Sequence, residues 1–190
     1  ETAQTTLLIK AGCFDSVAGE LTRPALIWRL FADQSGKPVG YLPIPTEYST
    51  QQKLAHEFEL FGFPLSGHPL DLFTEVPAGL STLPARDLAQ HIGKEVTLLG
   101  WLVTEKVVST KKGEPMEFVT FEDRTGLYDA TFFPNTYRRY GHLLASNQAY
   151  LVTGRVEEHF ATVTVTVSRF RPLSAPDAEE TRSLEGNASD

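Results

Sequence analysis

Cationic and aromatic side chains occur together along residues 111–133, and this combination could bind nucleic acid. Ammonium and guanidinium groups hold phosphates, while aromatic rings stack on the bases of a single strand. Lysines stand in a segment with glycine and proline, and an arginine and several aromatic residues follow. The candidate binding residues are Lys111, Lys112, Arg124, Phe118, Phe121 and Tyr128.

Strand alternation limits how many of these rings can face a ligand. Successive side chains of a strand point to opposite faces, so Phe118 and Phe121 must lie on different sides of a sheet. One aromatic set therefore packs in the core, and the pattern alone does not say which. The pair Lys111 and Lys112 could hold phosphates or could simply solvate a hairpin.

Residue types that support catalysis are present but are not grouped as an enzyme requires. His68 and Asp71 could share a metal ion, but a loop histidine bonded to backbone is the preferred interpretation. Glu122 and Asp123 are consecutive strand residues, so they do not form a carboxylate pair. Ser66 is interpreted as a turn residue, and a single cysteine cannot form an internal disulfide. We expect no catalytic residue, no metal and no cofactor.

The elements that must position the binding residues follow one clear order. Gly93 precedes a region in which apolar and polar residues alternate with period two, as in a sheet with one buried face. Three strands, a helix and two strands are predicted, at residues 96–108, 116–122, 127–133, 135–144, 149–156 and 161–170. That order is typical of the OB-fold, a five-stranded barrel.

The remainder of the chain is predicted to be helical or irregular. Helices are expected at residues 5–11, from Pro24 to Phe31 and at residues 50–61. The predicted fold class is α+β, a small N-terminal helical region followed by a five-stranded OB-fold β-barrel. Its parts are a helical region 1–33, a connector 34–93 with one helix, an OB domain 94–172 and a disordered acidic tail 173–190.

Charge is unevenly distributed between these parts. The formal net charge is -7, but residues 94–172 carry 10 basic and 9 acidic side chains, a balance of +1. We therefore expect modest, salt-sensitive binding of single-stranded nucleic acid. The sequence has no run of apolar residues long enough to span a membrane, so no membrane partner is expected. A cytoplasmic location is predicted.

Three segments resemble the bacterial C-family DNA polymerases, the DNA polymerase III alpha subunits and their error-prone relatives. These segments are LIKAGCFD at residues 8–15, ELFGFPLSGHPL at residues 59–70, and TKKG with FVTFEDRTG at residues 110–113 and 118–126. They occur in the family's order. The last segment alone would also suit the anticodon-binding domains of transfer-RNA synthetases.

The resemblance implies a template-holding piece of a polymerase. It identifies residues 1–33 as a remnant of the family's helix-hairpin-helix region, which touches the duplex backbone, and residues 94–172 as the OB domain near the single-stranded template. The family's polymerase aspartates lie upstream of these segments. The chain could therefore be an excised fragment, a split-gene product or a decayed remnant of a DNA-directed DNA polymerase.

The resemblance also suggests protein partners. A separately encoded catalytic subunit or another replisome protein could bind the chain. A sliding-clamp contact is not expected, because the clamp-like end of residues 68–73 lacks the leading glutamine.

The leading functional hypothesis is a non-catalytic DNA-binding segment acting in replication or translesion synthesis. The alternatives are a free-standing OB-fold protein that binds single-stranded DNA or RNA, and an OB module that binds protein.

Overall fold

A computed structural model describes residues 2–34, 45–73, 81–146, 148–159 and 162–173. The predicted acidic tail, apart from residue 173, lies outside these residues, as do residues 35–44 and 74–80 of the predicted connector 34–93. The chain divides into two compact units, Glu1–Leu72 and Phe73–Asp190, which are described separately below.

The first unit is helical, and its helices begin and end at recognisable signals. Its helices are α1 (Thr2–Lys10), α2 (Arg23–Gln34) and α3 (Thr50–Phe61), with a short 3-10 helix at Pro69–Leu72. Ser49 and Gln52 form a reciprocal capping box at the start of α3. Gly62 ends the helix in the left-handed conformation, with φ 79°, and its N–H reaches the carbonyl of Phe58. The helix predicted at residues 50–61 is confirmed with the same bounds.

Arg23 joins the end of α1 to the start of α2. Its side chain is 8% exposed and donates to Asp15 at 2.6 Å and to the carbonyl of Lys10 at 3.0 Å. The hydrogen bond from Arg23 lowers the pKa of Asp15. This guanidinium therefore fixes the turn between the two helices, where the LIKAGCFD segment lies.

The second polymerase-like segment is a hydrogen-bonded turn after α3. Burial opposes ionisation of Glu57, but the backbone N–H groups of Ser66 and Leu65 donate to its carboxylate and lower its pKa. The ring nitrogen Nδ1 of His68 accepts from the N–H of Leu70 at 3.1 Å. The expectation that His68 bonds to backbone is confirmed.

The second unit contains a closed five-stranded barrel. Its elements are β1 (Glu95–Ser109), β2 (Pro115–Asp123), β3 (Gly126–Phe132), α4 (Pro134–Tyr140), β4 (Ala149–His159) and β5 (Thr162–Pro172). The strands are ordered β1-β2-β3-β5-β4, and β4 pairs with β1 to close the barrel. All pairs are antiparallel except β3 with β5. The predicted α+β class and OB-fold order are confirmed.

One predicted helix is shorter than its pattern indicated. The sequence predicted a helix over residues 135–144, but α4 ends at Tyr140 and a 3-10 turn, Gly141–Leu143, follows it. The N–H of Gly141 still makes an α-helical bond to the carbonyl of Tyr137. The N–H of Leu144 then bonds three residues back, to the carbonyl of Gly141 at 3.2 Å, which tightens the chain into a 3-10 turn.

The barrel core is built around stacked and edge-on aromatic rings. The ring of Phe170 lies 4.5 Å from Tyr150, 5.0 Å from Phe132 and 6.1 Å from Phe121. Three of these rings are completely buried, and full burial of such a side chain contributes about 1.5–3 kcal/mol. These aromatic residues thus form the centre of the barrel.

The segment before β1 belongs to the same core. Ala85 and Leu88, from the 3-10 helix Ala85–His91, are buried in the barrel cluster. The N–H of Ala85 donates to the buried carboxylate of Asp123 at 2.7 Å. Phe73 packs on Trp101, with 6.0 Å between ring centroids. Residues before 94 therefore help to close and cover the barrel.

β1 pairs with two different strands along its length. It pairs with β4 from Glu95 to Trp101 and with β2 from Trp101 to Ser109, with an irregularity between Leu102 and Thr104. Residues 104–109 therefore pair with β2 alone among the described strands, as a two-stranded ribbon.

Candidate nucleic-acid interface

The outer face of β1, β2 and β3 carries one row in which a cation and an aromatic ring are neighbours. Lys106 is paired directly with Phe118, and Phe118 with Thr131. Directly opposed side chains in antiparallel strands lie about 5 Å apart at Cβ. Lys106 is exposed, and Phe118 keeps 47% of its surface in solvent. The row thus offers an ammonium group beside an open ring face.

Adjacent rows on the same face are polar or acidic. Thr120 donates a 2.7 Å hydrogen bond to Asp129 across β2 and β3. Glu122 is paired with Leu127, which is 63% exposed. The face is therefore mixed in charge, in keeping with the balance of +1 over residues 94–172.

The lysine pair lies in a tight turn between β1 and β2. The N–H of Thr110 donates to the carbonyl of Glu114 at 2.8 Å. The N–H of Gly113 donates to the carbonyl of Thr110 at 2.9 Å. Gly113 has φ 78°, a conformation that glycine adopts without strain. Both Lys111 and Lys112 are exposed, so the backbone of this turn presents the two ammonium groups to solvent.

Arg124 lies far from the lysine pair. It is exposed in the turn between β2 and β3, at the opposite end of β2. A strand of nine residues separates the two turns, which corresponds to about 26 Å at 3.3 Å per residue. The candidate cations therefore form two sites and could contact only different parts of one strand of nucleic acid.

Phe121 and Tyr128 are corrected as candidate stacking residues. Phe121 is 0% exposed and Tyr128 is 4% exposed, and their rings stack on each other inside the barrel at 5.6 Å. Because a buried ring cannot stack on a base, only the outward-facing aromatic set, which contains Phe118, is available for stacking. Phe133, beyond the end of β3, is 45% exposed and adds apolar surface.

Two residues of interest were not identified from sequence. Lys106 lies beyond the irregularity in β1, so simple alternation did not place it beside Phe118. Glu117 is 3% exposed, and burial together with the charge of Glu105 raises its pKa to about 7. A carboxylate in an alternating strand normally faces solvent, so the sequence held no signal for this burial.

The described residues contain neither a metal-binding cluster nor a membrane-spanning helix. No three histidine, cysteine or acidic side chains there are grouped closely enough to bind a metal ion. No helix in the same part of the chain has both the length and the apolar character to cross a membrane.

The barrel matches a known sequence family, described as an OB-fold nucleic acid binding domain, over residues 96–173. The DNA polymerase III subunit alpha of Saccharopolyspora erythraea is 28% identical over 152 residues, which are 77% of this chain and 13% of that protein. The error-prone DNA polymerase of Symbiobacterium thermophilum is 30% identical over 143 residues, 74% of this chain and 13% of that protein.

The chain thus spans about 13% of the length of these curated relatives. Among solved structures, a domain of replication protein A from Methanococcus maripaludis is similar, at 13% identity and a TM-score of 0.41, over 48% of this chain and 94% of that domain. The resemblance seen in the three sequence segments is confirmed by the polymerase relatives. This chain is therefore related to a segment of the bacterial DNA polymerase III alpha subunits and error-prone DNA polymerases, and its barrel is similar to the OB-fold nucleic acid binding domains.

Proposed function

We propose that this chain holds single-stranded DNA across the outer face of β1, β2 and β3 and performs no catalysis itself. The observation that carries the proposal is the directly paired Lys106 and Phe118, both exposed on the strands that lead into the turn that presents Lys111 and Lys112, with three paired rows between them and the turn. A base stacked on the ring would place its phosphate within reach of an ammonium group.

The charge of the barrel unit sets the expected strength of binding. A balance of +1 gives little long-range attraction, so binding depends on a few local phosphate contacts. Affinity should accordingly be modest and should fall as salt is raised. Arg124, at the far end of β2, would engage only a strand that crosses the whole face.

The polymerase relatives suggest where such a module works. We infer a template-holding role in DNA replication or translesion synthesis, with a polymerase catalytic subunit or another replisome protein as partner. In this proposal residues 1–33 act as the helix-hairpin-helix remnant, residues 34–93 as the connector and residues 94–172 as the DNA-holding domain, in the cytoplasm.

A second candidate is favoured by the acidic side chains on the same face. Asp129 lies on the row next to Phe118 and Glu122 on the row after it, and their charge would suit a basic protein surface. The barrel would then bind protein in place of nucleic acid.

A fluorescence anisotropy titration with labelled oligonucleotides separates the two candidates. Single-stranded DNA, duplex DNA and single-stranded RNA of matched length would be titrated at two salt concentrations. We expect single-stranded DNA to bind more tightly than duplex, and to weaken at the higher salt concentration. The absence of binding to every oligonucleotide at low salt would contradict the proposal and favour a protein partner.

A further inference from the structure

Glu117 is a buried carboxyl group next to the lysine turn. It lies two residues beyond Pro115, the first residue of β2, and is 3% exposed. Its atom Oε2 has no hydrogen-bond partner in the described part of the chain. Its paired neighbours are the apolar residues Val107 on β1 and Phe132 on β3. An ionised carboxylate at this position loses hydration without gaining a donor.

The charged and titratable groups around Glu117 do not compensate for this loss. Glu105 on β1 adds a second negative charge, and burial and this charge together raise the pKa of Glu117 to about 7. On α4, the guanidinium of Arg138 pairs instead with Glu114, at 3.4 Å. On β4, the hydroxyl of Tyr150 donates to the carbonyl of Leu143 at 2.9 Å.

The strand that carries Glu105 is held more weakly here than elsewhere in the barrel. Residues 104–109 of β1 pair with β2 but not with β4, so displacement of this β1 segment breaks bonds to β2 alone, whereas Glu117 on β2 is also held by its pairing with Phe132 on β3. The β1 segment ends in the turn that presents Lys111 and Lys112. A displacement of the β1 segment that carries Glu105 would therefore move the two lysines.

We propose that Glu117 is a proton-operated switch that sets the position of the lysine turn against the outer face of the barrel. With Glu117 protonated, residues 104–109 of β1 pack on the interior and the lysine turn keeps its observed position. With Glu117 ionised, repulsion from Glu105 and the need for water move this β1 segment outward. The effect on DNA rests on the function proposed above, whereas the movement of the turn does not.

The switch has a defined direction in pH. The protonated form prevails below about pH 7 and the ionised form above it. The affinity for single-stranded DNA should therefore be several-fold higher at about pH 6 than at about pH 8. A glutamine at position 117 stays neutral and should keep the turn in its low-pH position throughout.

The test uses the full chain and its Glu117→Gln, Glu105→Gln and Glu59→Gln variants. Glu59 is an exposed carboxylate on α3 and serves as the control for loss of one negative charge. The amide resonances of Lys111, Lys112 and Gly113 would be followed by NMR across the pH range without DNA. The dissociation constant for a labelled single strand would be measured at about pH 6 and about pH 8.

In the parent and in Glu59→Gln, the turn amides should titrate with a midpoint near pH 7. In Glu105→Gln the midpoint should move to lower pH, and in Glu117→Gln it should disappear together with the pH dependence of binding. Turn amides that do not titrate near neutral pH, or that titrate unchanged in Glu117→Gln, would overturn the switch. Titration of the turn with no DNA binding at any pH would support the switch and overturn the proposed function.

Discussion

Lys106 on β1 and Phe118 on β2 are directly paired on the outside of the barrel, and both are exposed. The pairing places a positive charge beside a ring that nothing in the barrel core requires to be aromatic. Phe121, three residues later in β2, is completely buried. Two phenylalanines of one strand thus have separable roles, and substitution can distinguish them.

Replacing Phe118 by alanine should weaken binding of single-stranded DNA by about 1–3 kcal/mol, because one stacked base loses its ring. Its effect on the free energy of unfolding should be small, since the side chain is half exposed. Phe121→Ala should instead destabilise the fold by about 3–5 kcal/mol. Binding titrations and urea unfolding of both variants check this, and a Phe118→Ala variant that binds like the parent would contradict the stacking role.

Neutralising both Lys111 and Lys112 with glutamine should reduce the dependence of binding on salt. Each lost phosphate contact on a single strand removes about 0.7 from the slope of log affinity against log salt. Lys106→Gln should lower the slope by about 0.7, the amount expected for one lost phosphate contact. Lys94, exposed just before β1, provides a matched control. If the parent and the Lys111→Gln/Lys112→Gln variant have equal salt slopes, the single-stranded DNA does not pass over the lysine turn.

Glu117 should make the barrel less stable as pH rises. Its folded-state pKa, about 7, lies above the ordinary value of 4.5. The protonated form is therefore favoured in the folded protein, and the resulting stability is present below about pH 4.5 and lost as pH rises to about 7. The difference corresponds to about 3 kcal/mol.

Urea unfolding of Glu117→Gln across this pH range provides the measurement. The variant should lack the loss of stability that Glu117 causes. Its free energy of unfolding should exceed that of the parent most clearly above neutral pH. Glu158→Gln, which removes an exposed carboxylate from β4, controls for net charge. Parallel pH profiles of the parent and Glu117→Gln would show that Glu117 titrates normally.

Gly100 should not tolerate a side chain. A Cβ atom there would lie 2.3 Å from the hydroxyl oxygen of Tyr128 and 2.8 Å from Cβ of Phe121. Overpacking of this kind costs about 1–3 kcal/mol, so Gly100→Ala should lower the unfolding free energy by that amount. The loss should be smaller in a Tyr128→Phe background, where the nearest atom is absent. A double-mutant cycle by thermal unfolding measures this coupling, and simple additivity would exclude the contact.

A fragment of residues 81–173 should be more stable than one of residues 94–172. The longer fragment keeps Ala85 and Leu88, which are buried in the barrel core, and the bond from Ala85 to Asp123. It also keeps Leu173, whose N–H donates to the carbonyl of Ala149 at 2.8 Å. Circular dichroism during urea unfolding compares the two, and equal midpoints would contradict the contribution of these residues.

The sequence predicted the barrel well because its patterns are local. Period-two alternation placed all five strands within a few residues of their bounds, and capping residues placed α3. Alternation also showed that Phe118 and Phe121 face opposite ways. It could not say which of them is buried, because both faces of β2 carry apolar residues and only the closure of the barrel distinguishes them.

The binding face was harder to predict because it depends on register. The irregularity between Leu102 and Thr104 changes which residues of β1 face outward, and no local pattern marks it. Lys106 was missed for this reason. Arg124 was grouped with Lys111 and Lys112 by sequence proximity, although a full strand separates their turns.

The ribbon of β1 and β2 also leaves one edge open in a barrel that is otherwise closed. From Thr104 to Ser109, β1 has β2 on one side and no second described strand on the other. Such an edge can recruit the strand of another molecule, and charged side chains are a common defence against that pairing. Glu105 and Lys106 stand on this edge with opposite signs, both exposed. The lysine proposed to bind DNA is therefore also one of the two charges that a strand added at this edge would have to desolvate.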